Sequence, residues 1–250
     1  MRVHAAGVRA RDGVHGLVIL ASALLSWIAA SQAQSADATT DSKSQRLGKS
    51  WFTEYNSITF RQVPKAGQPL DLRRLDLDLL DAAVFHETNR RRQQHGLAPL
   101  PYSGKVRQMA SIQSRAMAQS GIVSHEHPEP SKKTVADRAR FVGLQPSFLA
   151  ENVASSFGRK YKSGQKFFVR EEGGRKLYSY EPDGPPIPMH TYLSFAEALV
   201  DEWMASPGHR ENLLHSAPQF LGCACEAGRN NSGIETFYCT QDFFAPLKGN

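Results

Sequence analysis

The stretch that most constrains the fold of this chain is Trp203-Met-Ala-Ser-Pro-Gly-His-Arg-Glu-Asn-Leu-Leu214. Phe195, Leu199 and Trp203 fall at i, i+4 and i+8, one apolar stripe of a helix that runs into it. Ser194 followed by Glu197 offers that helix a capping box, and Pro207-Gly208 stops it. His209 comes immediately after, fixed between the helix behind it and Leu213-Leu214 ahead. A histidine at a surface turn is ordinarily just solvated, so His209 gains weight only from company. Two further polar signatures supply it: His125 and His127 in Ser124-His-Glu-His127, and Glu151 in Ala150-Glu-Asn-Val-Ala154. These are three separate elements, candidates to meet in one cleft.

The N-terminus reads as an export signal. Arg2, Arg9 and Arg11 make a basic region, and residues 16–30 are apolar but short for a membrane span. Ser31-Gln-Ala33 places small residues at a cleavage site, so residues 1–33 are expected to be a signal peptide cut after Ala33. No later segment is long and apolar enough to span a bilayer. Without residues 1–33, which hold three Arg and one Asp, the formal charge falls from +6 to +4. The charges are dispersed and no nucleic-acid motif is present, so nucleic acid is not an expected partner. The expected location is secreted or periplasmic.

Residues 34–72 are polar, rich in Ser, Thr, Lys and Gln, and lack periodicity. They are expected to be a flexible lead with a local contact through Trp51 and Phe52. The folded domain is expected over 73–246. Leu77, Leu80, Val84 and Thr88 mark a helix ending at Gly96, and Val106, Met109, Ala110, Gln113 and Met117 mark a second, from about Gly104 to Ser120. Thr134 and Asp137 cap a short third helix carrying Val135, Ala139 and Val142. Residues 157–191 form an irregular insertion, in which Phe167-Phe-Val-Arg and Lys176-Leu-Tyr-Ser-Tyr flank Gly173-Gly174 as a hairpin. Phe220–Ala227 and Ile234–Phe244 read as two strands around an Asn/Gly-rich loop. Helices and strands in this order indicate a layered α+β domain.

All three cysteines, Cys223, Cys225 and Cys239, lie on that terminal hairpin. An exported chain meets an oxidising compartment, which favours a disulfide. With the loop centred near Asn230-Asn231, Cys223 falls opposite Cys239. Cys225, two residues on and on the same face, is the rival partner. Cys-x-Cys with one distant Cys is poor zinc spacing.

The motifs in order are His86-Glu87-x-Asn89-x-x-Arg92-x-x-x-Gly96-Leu97-x-Pro99-Leu100, Ser124-His125, Glu151-Asn152 and the Trp203–Leu213 stretch. With these the chain resembles the CAP superfamily: cysteine-rich secretory proteins, antigen 5 and pathogenesis-related proteins, sharing the SCP domain. It is most similar to the bacterial exported branch. The resemblance implies a three-layer α-β-α sandwich, here with an inserted hairpin, and a central cleft. It also implies that His125, Glu151 and His209 line the cleft and form a candidate set for zinc or another divalent cation. The family's second acidic residue sits three positions after the Trp; here that position is Ser206, so the set lacks one ligand. Glu202 and Glu211 do not align with it, and His127 is expected to be solvated.

Three readings follow, one of them a purely structural domain. The first is a secreted binding or interaction module, whose cleft takes a lipid, another apolar or envelope component, or a protein, with no cofactor required. The alternative is an extracellular hydrolase using metal-bound water on His125 and His209, or Ser206 with His209. The chain carries no Gly-x-Ser-x-Gly, His-Glu-x-x-His or Cys-His nucleophile signature, which weighs against an enzyme. Ser206 is more simply part of the Ser-Pro-Gly turn.

Overall fold

The computed structural model describes residues 50–247 apart from Ser163. The expected signal peptide, residues 1–33, and the first part of the expected lead lie outside the described residues. After a helical stretch at residues 50–53, five α-helices follow: α1 (Leu77–Gln94), α2 (Gly104–Ser120), α3 (Val135–Phe141), α4 (Tyr192–Ala205) and α5 (Pro207–Leu214). The strands are β1 (Pro146–Phe157), β2 (Phe168–Glu172), β3 (Arg175–Ser179), β4 (Phe220–Arg229) and β5 (Glu235–Pro246).

Local chemistry sets the helix starts. The Asp76 carboxylate accepts from the Leu79 N–H, and the Ser103 hydroxyl accepts from the Val106 N–H. Thr134 and Asp137 form the expected capping box of α3. For α4 the box is Thr191/Ser194 rather than Ser194/Glu197. Ser194 serves as the third helical residue, and Glu197 instead meets Arg61 at 2.6 Å. Pro207 ends α4 but also opens α5 at its first position, where its fixed φ and missing N–H cost nothing.

β1, β5 and β4 form one antiparallel sheet with β5 in the middle. Thr240 and Gln241 are successive residues of β5 and so face opposite sides. Ser114 Oγ of α2 meets Thr240 Oγ1 at 2.9 Å, while Gln241 Nε2 donates to Thr88 Oγ1 of α1. Helices therefore cover both faces, and every residue of β5 from Thr236 to Ala245 is buried. Leu80, Val84, Phe195, Leu199 and Trp203 fill one side. Val106, Met109, Ala139 and Val142 pack on Phe244 from the other. This is the expected α+β sandwich. The α2 layer sits so close that a Cβ on Gly222 would fall 2.2 Å from the Arg107 backbone nitrogen. No described helix is long and apolar enough to cross a membrane.

Three expectations are corrected. The lead expected over 34–72 is not flexible in its described part: Phe52, Phe60, Val63, Ala66 and Leu70 are core residues. Phe60 stacks on His86 at 4.4 Å, and His86 Nε2 lies 2.8 Å from the Trp51 carbonyl. The segment runs in short 3₁₀ turns, the first begun by Asn56 Oδ1 accepting from the Ile58 and Thr59 N–H groups. Such turns bury apolar residues without a period of 3.6 or 2.

The second correction is the disulfide, which joins Cys225 to Cys239 and leaves Cys223 buried and free. The Asn230 N–H donates to the Ile234 carbonyl, and Gly233 adopts φ 72°, so the turn centres on Ser232. Moving the centre by one residue moves every partner by two. Cys225 thus replaces Cys223 opposite Cys239, and Cys223 pairs with Gln241. The third is β1 itself, a twelve-residue strand where the sequence suggests only a segment carrying Glu151. The inserted hairpin is as expected, with Gly173 and Gly174 both at positive φ between β2 and β3.

Candidate functional site

The site is built around Glu151 on β1. One of its oxygens lies 2.9 Å from His125 Nδ1, and the other accepts from Arg138 Nη2. Arg138, on α3, has no exposed surface. Its Nη1 donates to the carbonyls of His125, Lys132 and Lys133, so one guanidinium fixes both the carboxylate and the loop that carries the histidine. From α2, Gln113 Nε2 donates to the Ser124 carbonyl and ties down the other end of that loop.

His125 itself is 59% exposed in its side chain. The Glu151 hydrogen bond raises its pKa above the ordinary histidine value, against some desolvation. With Nδ1–H donated to Glu151, the ring is held in one tautomer and Nε2 is left as an open acceptor.

His209 stands in the first turn of α5, half-buried. Its pKa is lowered by desolvation first and then by the nearby charge of His125. A chain of amides locks it there. Asn152 Nδ2 donates to the His209 carbonyl at 3.0 Å and to Gln241 Oε1 at 3.1 Å. Asn212 Nδ2 donates to Asn152 Oδ1 at 2.9 Å and to the Glu151 carbonyl at 3.3 Å. The neighbour of Glu151 on β1 thereby ties α5 to the strand.

His125 and Glu151 are thus in direct contact, while His209 is held through its carbonyl by Asn152, the neighbour of Glu151. Ser206 lies between α4 and α5 and makes no cap bond with its side chain. His127 belongs to its own turn, its Nδ1 accepting from the Glu129 N–H at 3.0 Å.

Two residues of the site go unnoticed in the sequence. Arg138 falls three after Val135 and four before Val142, on the apolar stripe of α3, where a charge is a signal in itself. Asp242 lies directly across from Glu151 on β5 and is fully buried. A carboxylate in a run of Phe, Tyr and Cys is the corresponding clue.

The donor set does not fit a three-ligand metal centre. Both Glu151 oxygens are committed, one to an imidazole N–H and one to a guanidinium. Among the described residues no group of three or more His, Cys, Asp or Glu side chains is arranged to hold a metal ion. What remains open is a pair of imidazoles, fewer than the three protein ligands of a catalytic zinc.

Comparison with solved structures finds an extracellular SCP-domain protein from Bacillus anthracis str. Ames. It is 21% identical over 71% of this chain, with a TM-score of 0.44, and this chain spans 44% of its length. An outer surface protein from Borrelia burgdorferi is 13% identical, with a TM-score of 0.44, over 72% of this chain and 99% of its own. A cysteine-rich secretory protein from Staphylococcus aureus is 16% identical, with a TM-score of 0.41, over 66% of this chain and 38% of its own. Comparison with curated proteins finds no match. The cysteine-rich secretory protein family, CAP, matches residues 85–243, from the middle of α1 through the Glu151 site to β5, and the chain belongs to that family.

Proposed function

We propose that the protein is an exported binding module whose His125–His209 cleft takes an apolar or amphiphilic envelope ligand without a resident metal. The observation that carries this reading is the commitment of Glu151. The carboxylate is spent on orienting His125, which leaves a half-exposed imidazole pair as a hydrogen-bonding floor. The two elements that hold His125 and Glu151 in place, the His125 loop and α3, also carry exposed apolar side chains. Ile122 and Val123, just before His125, are 56% and 43% exposed, and Phe141 on α3 is 53% exposed. Exposed apolar side chains beside a few fixed polar groups suit an amphiphile with a polar head.

Mature protein recovered from the medium or periplasm of its producing host is the material to test. Organic extraction and mass spectrometry should find an amphiphile retained by the wild type and lost from His125→Ala and His209→Ala. If the purified protein instead hydrolyses ester or amide probes, and both substitutions abolish that turnover, the binding-module reading fails.

A further inference from the structure

Asp242 has no role in the cleft as described so far, yet it is a buried carboxyl group with no bond to compensate it. It has no exposed surface, and neither carboxylate oxygen has a hydrogen-bond partner. An ionised carboxylate in that position is strongly disfavoured. Its rung of the sheet runs Gly222, Asp242, Glu151 across β4, β5 and β1, all on the face covered by α2 and α3. Gly222 has no side chain, because α2 presses on it. Glu151 is therefore the one polar side chain on the rung that Asp242 can meet, as its direct cross-strand neighbour, a position in which Cβ atoms stand about 4.5–5.5 Å apart. Arg138 is near but offers no solution. Its Nη2 is used by Glu151 and its Nη1 by three carbonyls, and its Nε is buried without a partner. Two ionised carboxylates only accept, so no bond joins them until one carries a proton.

We propose that Asp242 is a buried, proton-holding carboxylic acid whose O–H donates to Glu151 and keeps that carboxylate aimed at His125. Glu151 then receives three donors: Asp242 from β5, Arg138 from α3 and His125 from its loop. Asp242 touches no ligand and is a positioning residue, and the arrangement holds whatever the cleft binds. The groups facing Asp242 agree with this assignment. Burial first, and then the charge of Glu151, push its pKa well above the usual carboxylate range, while Arg138 pulls only partly back. The Cys223 thiol on β4, on the other face of the sheet, is pushed up by its own burial first and then by Asp81 and Asp242. Gln113 of α2 is neutral.

Asp242→Asn separates this from an ionised Asp242, because an amide donates the same hydrogen bond and carries no charge. In the folded protein, NMR titration of His125, assigned with His125→Ala, should give a midpoint moved by less than about half a pH unit. That is well inside the roughly one-unit spread of histidines among proteins. If Asp242 is ionised in the wild type, removing its negative charge lowers the midpoint by about a unit or more, and the proposal fails. A folded pKa raised above the unfolded one gives stability that is full below the unfolded value and lost as pH rises through the folded value. Asp242→Asn has no such proton to lose, so its melting temperature should fall less than that of the wild type as pH is raised from 5 to 9. Infrared spectra of wild-type protein labelled with ¹³C-aspartate do not depend on the variant folding. Burial also raises Asp81, to about 7, so the band to look for is a protonated aspartic carboxyl at pH 7 that survives Asp81→Asn; its absence from the wild type overturns the proposal outright.

Discussion

Arg138 and Glu151 form an ion pair with almost no contact with solvent: their side chains are 0% and 3% exposed, and the bond spans from α3 to the edge strand β1. Removing one partner of such a pair leaves an uncompensated buried charge and costs about 3–5 kcal/mol. Arg138→Leu should therefore destabilise the domain by about that much. It should also free the His125 loop, whose three carbonyls lose their donor. Denaturant melts measure the first effect, and amide hydrogen exchange over residues 124–134 measures the second. Arg138→Lys should not rescue either, since an ammonium cannot reach a carboxylate and three carbonyls at once. A lysine variant with wild-type stability would show that the fork geometry is not what matters.

The two cleft histidines should titrate in opposite directions from an ordinary histidine. His125 is raised by its bond to Glu151, and His209 is lowered by desolvation and by His125. For His125 the stabilisation is full below the unfolded histidine value and lost as pH rises through the folded one. For His209 the sign reverses: stability is present above the unfolded value and lost as pH falls through the folded one. His125→Ala should therefore cost more stability at pH 5.5 than at pH 8.5, and His209→Ala should cost less. Glu151→Gln should bring the His125 midpoint down. Side-chain NMR titrations of the wild type and this variant check the direction, and an unchanged midpoint would detach His125 from Glu151.

Zinc should not bind this cleft tightly. A structural or catalytic zinc has three or four protein ligands, and here Glu151 is not free to be one. Equilibrium dialysis of the metal-stripped protein against zinc at pH 7.5 should leave it without stoichiometric metal at micromolar free zinc. Stoichiometric uptake abolished by His125→Ala would show that zinc can displace the arginine or the histidine from Glu151.

The first four helices and the Cys-bearing hairpin are legible in the sequence because their apolar residues recur at helical or strand spacing, and α3 adds the Thr134 capping box. His125, Glu151 and His209 are legible through motif order. What supports them is not. Arg138 and Asp242 reach Glu151 from α3 and β5, at positions 13 residues before it and 91 after it. No local pattern encodes a contact of that separation. β1 escapes notice because Glu151 and Asn152 interrupt it, and both are buried by partners elsewhere in the chain.

The terminal hairpin offers a covalent check on register. The Cys225–Cys239 bridge has a sequence separation of 14, and a loop of roughly that length is worth about 3 kcal/mol in the chain-entropy model. Cys225→Ser should lose about that much stability under oxidising conditions. Cys223→Ala should leave the disulfide intact, because Cys223 faces Gln241 rather than Cys239. Peptide mapping without reduction decides it. A Cys223–Cys239 peptide from natively exported protein would mean that β4 and β5 pair two residues away from the register described.

The N-terminal turns supply the last test. Phe60 has no exposed surface and lies flat on His86, whose ring nitrogen also meets the Trp51 carbonyl. Burial lowers the pKa of His86 to about 4, against the raising effect of that carbonyl bond, so the ring is neutral at ordinary pH. Truncating a buried Phe costs about 3–5 kcal/mol through lost transfer energy and the cavity left behind. Phe60→Ala should therefore destabilise the whole domain by about that amount. The same loss should follow removal of residues 50–72, which also takes Phe52, Val63 and Leu70 out of the core. Limited proteolysis should spare residues 50–72. A stable, cooperatively folding fragment beginning at Leu75 would show that these turns only decorate the domain.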